Sequence, residues 1–310
     1  LGFLILEMYG KCGSLHDAMA WFSEMPRRDV CTWNYMIGLH CRLGKGSVSL
    51  ACFDQMLQEC VLVDKVTYIT IISACTTLPS SLVEGRRMNA RVIGARYESH
   101  VVIVTALVNL YGKCGDFNLA SELFDSMSKR DTITWNALIT GYSQHGQSEK
   151  ALKYFEQMQC EGVSPNAAIF TSVLKACGSI GAVDKGTQIH VHIVCMLMLM
   201  ESIVLGTALV DMYAKCGVLT KAQKTFEEIP HRNLVSWNAL ISGYTQMGQG
   251  CEALNCMEKM KIEGLSPNES TFICLLKACG TIGAIHKGKQ IHEEIANMGL
   301  LSKNIVLGTA

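Results

Sequence analysis

The chain has 310 residues with 27 basic and 27 acidic side chains, so its formal net charge at neutral pH is zero. Neutrality excludes a polybasic, phosphate-neutralising mode of nucleic-acid binding, but not a groove lined by neutral hydrogen-bonding side chains. With 49% hydrophobic and 17% charged residues, much of the chain must be buried, and five prolines without a Ser/Gly-rich or acidic tract mark no linker between domains.

From the N-terminus, the first landmarks are Lys11-Cys12-Gly13, Trp33-Asn34 and Ala74-Cys75. The same dipeptides and tripeptides return 102 residues later as Lys113-Cys114-Gly115, Trp135-Asn136 and Ala176-Cys177, and again as Lys215-Cys216-Gly217, Trp237-Asn238 and Ala278-Cys279. Residues 101–202 and 203–304 align without a gap and are identical at about half their positions, which defines a repeat array. The core of an array grows lengthwise, so chain length does not set a domain count. A motif recurring at equal spacing reads as framework before it reads as a catalytic site.

Each block divides into three related units. In chain order they are 1–29 (truncated), 30–64, 65–100, 101–131, 132–166, 167–202, 203–233, 234–268 and 269–304, with the start of another at 305–310. One continuous array over 1–310 is expected. It begins mid-pattern and stops just inside a new unit, as expected of a piece of a longer protein, so the lack of a targeting peptide carries no weight. Within 132–166, Trp135, Leu138, Ile139 and Tyr142 share one helical face, and Ala151, Leu152, Phe155 and Met158 share another. Gly146 separates the two helices, and Gly162 and Pro165 end the second. Each unit is therefore a helical hairpin that buries its faces only by stacking on its neighbours.

A second stripe runs along the first helix of these hairpins: Ile133, Asn136, Thr140 and Ser143 in one block, and Val235, Asn238, Ser242 and Thr245 in the next. The shorter units carry Val102, Thr105, Asn109 and Val204, Thr207, Asp211 at the same spacing. Asn is disfavoured in cores, so this face offers a neutral, hydrogen-bonding surface once per unit.

The fifteen cysteines contain no CxxC and fall mostly at repeated sites within apolar patterns, which favours reduced, packed thiols over disulfides. The longest apolar run, Val191 to Met200, is too short to span a bilayer, which takes about 20 residues. Its end, Cys195 to Met200, is either a poor helix stop or a sticky patch for a partner helix. His292-Glu293-Glu294 matches the H-x-E of a zinc deaminase, but no P-C-x-x-C follows. His190 and His192 are two residues apart and point to different sides of a helix. No metal, cofactor or catalytic site is expected.

Three sequences carry a family resemblance: Ala208-Leu209-Val210-Asp211-Met212-Tyr213-Ala214-Lys215-Cys216-Gly217, Trp237-Asn238-Ala239-Leu240-Ile241-Ser242-Gly243-Tyr244, and Leu276-Lys277-Ala278-Cys279-Gly280 followed by Gly288-Lys289-Gln290-Ile291-His292. They resemble the S, P and L units of plant-type pentatricopeptide repeat proteins, and the lengths 31, 35 and 36 match that PLS subclass. The tetratricopeptide repeat, a protein-interaction scaffold without RNA readout, is the alternative; Trp135, Gly141-Tyr142, Ala151, Phe155 and Pro165 echo it. Its units do not cycle through three lengths, and its inner face lacks periodic Asn and Thr.

The resemblance implies an all-α fold, a right-handed superhelix (solenoid) of stacked helical hairpins. It implies single-stranded RNA as partner, one base per repeat, in an organellar processing or C-to-U editing factor of mitochondrion or chloroplast. Editing-complex proteins or a recruited deaminase would be further partners; no membrane is involved. The family reads bases with the fifth and last residues of a unit. Carried over, Asn34 with Asp64 implies uracil, Thr105 with Asp131 guanine, and Thr207 with Asn233 adenine. Asn136 with Asn166 and Asn238 with Asn268 imply a pyrimidine, preferably cytosine. The L-like pairs Ile69/His100, Thr171/Ser202 and Ile273/Asn304 imply spacers, and Phe3 with Asp29 no clear base. The implied target is x-U-x-G-Y-x-A-Y-x. Apolar second residues such as Val102, Ile133 and Val204 would clamp each base. Lys11, Arg42, Lys113 and Lys215 share one position near the end of the first helix; they are either phosphate contacts or solvated cations favoured by the helix dipole.

Overall fold

A computed structural model describes residues 2–78, 81–196 and 202–299, in which there are eighteen helices and no strand. The chain divides into two compact units, residues 1–145 and 146–310. The first holds α1 (Gly2–Lys11), α2 (Leu15–Glu24), α3 (Val30–Arg42), α4 (Gly46–Gln58), α5 (Lys65–Cys75), α6 (Ser81–Gly94), α7 (Val101–Cys114), α8 (Phe117–Ser126) and α9 (Thr132–Gln144). The second holds α10 (Ser148–Cys160), α11 (Ala167–Ile180), α12 (Val183–Cys195), α13 (Ile203–Lys215), α14 (Leu219–Glu227), α15 (Leu234–Gln246), α16 (Gly250–Ile262), α17 (Glu269–Ile282) and α18 (Ile285–Asn297).

Both units are all-α stacks of helical hairpins in two layers. In the first unit α1, α3, α5, α7 and α9 pack each on the next, and α4, α6 and α8 wedge between consecutive members of that layer. In the second unit α11, α13, α15 and α17 form the same layer, backed by α12, α14 and α16. The apolar faces read from the sequence are the buried ones: Trp135, Leu138, Ile139 and Phe155 are fully buried. The outer end of the polar stripe is not all groove, because Ser143 is buried as well.

Two devices set the stacking, a glycine contact at one junction and an aromatic joint that recurs. Gly112 and Gly141 let α7 and α9 approach so closely that a Cβ on Gly141 would lie 3.0 Å from Gly112 Cα. An aromatic joint recurs in every block: Phe22 meets Trp33 edge-on at 4.8 Å, Phe124 meets Trp135 at 4.6 Å, and Phe226 meets Trp237 at 4.6 Å. An arginine covers each joint. Arg232 donates from Nε to the Phe226 carbonyl at 3.2 Å and from Nη1 to Glu263 at 2.9 Å, closing the end of α14 against the end of α16. Arg28 does the same with the Phe22 carbonyl and Glu59.

The cysteines divide by exposure, with Cys41, Cys52, Cys114, Cys216 and Cys274 half-buried. Cys75, Cys177, Cys256 and Cys279 are buried, while Cys12, Cys31, Cys60, Cys160, Cys195 and Cys251 are exposed. Burial pushes the Cys75 and Cys177 thiols up to about 12. The thiolate is the nucleophile, so iodoacetamide at neutral pH is expected to label the six exposed thiols in the native protein. Cys75 and Cys177 should label only in denaturant. Equal native labelling rates, read by peptide mass mapping, would contradict this packing.

Candidate nucleic-acid interface

Most helices of the first-helix layer start in one way. The residue before each is an N-cap whose side-chain oxygen accepts the backbone N–H three residues on. Thr32 N–H reaches Asp29 at 2.9 Å, Thr67 reaches Asp64 at 2.8 Å, and Thr134 reaches Asp131 at 2.8 Å. In the second unit Ile169 reaches Asn166 at 3.0 Å, Ser236 reaches Asn233 at 3.0 Å, and Thr271 reaches Asn268 at 3.1 Å. Only an oxygen can accept these bonds, so the cap fixes the orientation of each Asn amide.

Those capping residues are the last residues of the units, and the fold brings fifth residues to them. Asn34 Nδ2 donates to Asp64 Oδ1 at 3.0 Å, and Asn238 Nδ2 donates to Asn268 Oδ1 at 3.1 Å. The cap and the Asn together occupy Oδ1. That leaves Asp64 Oδ2, an acceptor, and Asn268 Nδ2, a donor, available to a ligand. Burial works to raise the Asp64 carboxyl, but the Thr67 amide, the Asn34 amide and the Thr67 hydroxyl outweigh it and hold the group below the ordinary carboxylate value. It stays ionised, and the cap's contribution is lost only as pH falls through that depressed value.

The other pairs differ. Thr105 meets Asp131 through a relay, with Thr105 Oγ1 at 2.7 Å from Thr134 Oγ1 and the latter donating to Asp131 Oδ1 at 2.8 Å. Thr207 and Asn233 are not joined: Thr207 Oγ1 is buried without a partner among the described residues. Asn136 is half-buried in the first unit and accepts from Thr140 at 3.2 Å; Asn166 caps α11 in the second. In the L-like units, Thr171 spends its hydroxyl on the Ala167 carbonyl at 2.8 Å, Ser202 caps α13 through Leu205 at 3.3 Å, and His100 makes no side-chain cap. Asn304, the end of the Cys195 to Met200 run and residues 305–310 lie outside the described residues.

Two grooves lie on this face. One, of about 560 Å³, is lined by Thr171, Thr207, Asn233 and Asn238 among others, with Val204 and Val235 on its walls. The other, of about 540 Å³, is lined by Phe3, Asn34, Asp64 and Ile69 together with Val66 and Arg42. The second residues are exposed despite being apolar: Val102 by 51%, Ile133 by 66%, Val204 by 63% and Val235 by 63%. Apolar side chains held in water beside hydrogen-bonding groups suit flat, polar-edged ligands.

The four candidate cations part company. Arg42 lies over the Tyr35 ring at 5.8 Å, and Lys215 bonds Asp211 at 2.7 Å; both line the grooves. Lys11 bonds Glu7 at 2.9 Å and, like Lys113, is exposed in the last turn of its helix. Lys175 also lines the larger groove and was not singled out by the sequence. The most consequential residues the sequence reading passed over are the hydroxyls Thr67, Thr134, Ser236 and Thr271. A signal for them exists, the Asp/Asn-x-x-Thr/Ser spacing of a capping box at these four junctions.

The H-x-E triplet lies on α18, with His292 and Glu293 exposed and Glu294 accepting from Lys261 at 2.7 Å. His190 meets the Tyr213 hydroxyl at 3.0 Å and His192 meets Gln159 at 3.3 Å, on separate sides of α12. Among the described residues no cluster of His, Cys, Asp or Glu is arranged to hold a metal, and no helix is long and apolar enough to cross a membrane.

Two family models match along the chain, described as "PPR repeat family" at residues 28–77, 130–179 and 232–281 and as "PPR repeat" at 4–30, 102–132 and 207–234. A pentatricopeptide repeat-containing protein of Arabidopsis thaliana is 34% identical over 293 residues, covering 93% of this chain and 40% of its own length. A chloroplastic one from the same plant is 34% identical over 282 residues, covering 91% and 45%. A mitochondrial one is 33% identical over 303 residues, covering 91% and 33%. The chain thus spans less than half the length of these relatives. Among solved structures, the pentatricopeptide repeat protein PPR10 from maize superposes with a TM-score of 0.74 at 18% identity, over 96% of this chain and 43% of that one. The complex of PPR10 with an 18-nucleotide psaJ RNA element gives 0.72 at 18% identity, over 94% and 44%.

Proposed function

This chain belongs to the pentatricopeptide repeat family, and we propose that it binds single-stranded RNA by sequence, one base per repeat, as the recognition part of a plant organellar RNA processing or C-to-U editing factor. The observation that carries the reading is the pairing of Asn34 with Asp64 and of Asn238 with Asn268 in grooves walled by exposed valines. The name of the PPR10 complex supports it, since that protein of the same fold holds an RNA element. The names of the chloroplastic and mitochondrial relatives support the organellar setting. Any chemistry on the RNA would come from a recruited enzyme or from a region outside this chain.

In this reading the last residue has a defined part. With Oδ1 committed to the cap, Asp64 and Asp131 present an acceptor, which suits the ring N–H of uracil or guanine. Asn166, Asn233 and Asn268 present a donor, which suits the bare ring nitrogen of cytosine or adenine. Asn or Thr at the fifth position then separates pyrimidine from purine. Ile69 and Ile273 have no hydrogen bond to offer a base edge and act as spacers. Arg42 and Lys215, on the groove walls, are the candidate phosphate contacts, and Lys11 and Lys113 hold the same position within their repeats.

Asn238→Thr with Asn268 unchanged tests the reading. The nucleotide facing residues 234–268 should shift from pyrimidine towards adenine, at a cost to the old base of about 1–3 kcal/mol, the worth of one good edge contact. The assay compares short RNAs carrying U-x-G-Y-x-A-Y, a scrambled sequence and the same sequence as duplex. Equal binding of all three, or lost affinity with unchanged preference, would sink it.

A further inference from the structure

Within three of the reading pairs sits a third side chain that belongs to the next repeat. Thr67, the third residue of α5, places Oγ1 2.6 Å from Asn34 Oδ1 and 2.8 Å from Asp64 Oδ1. Thr271, the third residue of α17, repeats this at 2.6 Å from Asn238 Oδ1 and 2.9 Å from Asn268 Oδ1. Thr134 links Thr105 to Asp131 in the same place. The three hydroxyl-bearing residues are fully buried, so water does not compete for them. One hydroxyl thus holds the fifth residue of one repeat against its last residue.

Three junctions with a capping Asp or Asn lack this arrangement. The residue three after Asn166 is Ile169, which has no hydroxyl. Ser236 turns its hydroxyl to the Asn233 carbonyl at 2.8 Å, and Thr207 Oγ1 is left buried and unpartnered on the groove. Thr32 makes the same turn, to the Asp29 carbonyl at 2.8 Å, where the fifth residue is Phe3 and offers nothing to bond. The backbone-facing rotamer is therefore open to this position. A polar fifth residue draws a Thr out of it, whereas Ser, without the β-branch that restricts χ1, stays in it beside Thr207.

We infer that a threonine at the third residue of the following repeat, as at Thr67, Thr134 and Thr271, is a positioning residue for base selection, and that Thr207/Asn233 is read with weak discrimination because Ser236 leaves it unlocked. The inference rests on the RNA reading proposed above. In that reading a loosely held Thr or Asn can turn to suit more than one base edge, so the hydroxyl governs selectivity more than affinity.

The test is competition binding with single-stranded RNAs carrying U-x-G-Y-x-A-Y, varied only at the nucleotides facing 203–233 and 234–268. Thr271→Val keeps shape and β-branch and removes the hydroxyl. It should lower cytosine-over-uracil discrimination at its own nucleotide by about 2- to 10-fold, the range of one hydrogen bond, and leave the ratio at the other nucleotide unchanged. Ser236→Thr should raise adenine discrimination at its nucleotide by a similar factor, with Thr already fitting at positions 67, 134 and 271. A purely structural hydroxyl would instead weaken all RNAs alike and leave both ratios fixed, which overturns the inference. If wild-type protein shows no base preference at any nucleotide, the RNA reading itself fails. If Thr271→Val melts early by circular dichroism, Ser236→Thr decides alone, and an unchanged ratio there overturns the proposal.

Discussion

Asp64→Asn is expected to convert the nucleotide read by residues 30–64 from uridine to cytidine without loosening the fold. Asn and Asp cap helices about equally well, so stability should stay within about 0.5 kcal/mol. Oδ1 would still take the Thr67 N–H and the Asn34 amide, now at 2.8 and 3.0 Å. What changes is the outer atom, from an ionised oxygen to an N–H₂. Uracil offers a ring N–H to the former, and cytosine offers a lone pair to the latter. Each matched contact is worth about 1–3 kcal/mol of discrimination, and the substitution removes one preference while creating its opposite. The swing between two RNAs differing at that one nucleotide should therefore exceed tenfold (about 1.4 kcal/mol). Loss of uridine preference with no gain for cytidine would show that Asp64 acts only as a cap.

Trp135→Ala should cost about 3–5 kcal/mol, the usual range for removing a large aromatic from a core. The indole is fully buried and meets Phe124 at 4.6 Å, at the point where the hairpin of α7 and α8 carries α9. In a stack each hairpin is supported mainly by its neighbours, so the loss should open this region before the rest and broaden the urea transition. Circular dichroism during urea titration reads both effects. A change below about 1 kcal/mol, typical of surface sites, would show that the aromatic joint does not hold the stack. Trp135→Phe, which keeps an apolar ring beside Phe124, should lose less.

The hairpins were readable because their signal is redundant. Trp135, Leu138, Ile139 and Tyr142 recur at helical spacing, and the corresponding positions are filled again 102 residues on. The proposed reading face was half readable. Periodic Asn and Thr cannot be explained by packing, so the fifth positions stand out, whereas the last residues gain meaning only from the family. Thr67, Thr134 and Thr271 stayed hidden because a hydroxyl three residues after Asp or Asn reads as helix punctuation; its bond to a residue 29 to 33 positions earlier is purely tertiary. The ion pairs of Lys11 and Lys215 were legible, since Glu7 and Asp211 stand one turn before them. The arginines at 28 and 232 were not, because their partners Glu59 and Glu263 lie 31 residues away.

The shared duty of the last residue limits how this surface can change over time. A side chain that must start a helix has few acceptable forms, and in the 31- and 35-residue units it is Asp or Asn wherever the fifth residue is Asn or Thr. Under the proposed reading that position carries one bit, and the fifth residue carries another. The pairs Asn34/Asp64, Thr105/Asp131, Asn136/Asn166 and Thr207/Asn233 use all four combinations. Each single-letter recoding step then needs one or two nucleotide changes in the gene and preserves the helix start, so a lineage can retarget such a protein base by base without passing through an unfolded intermediate.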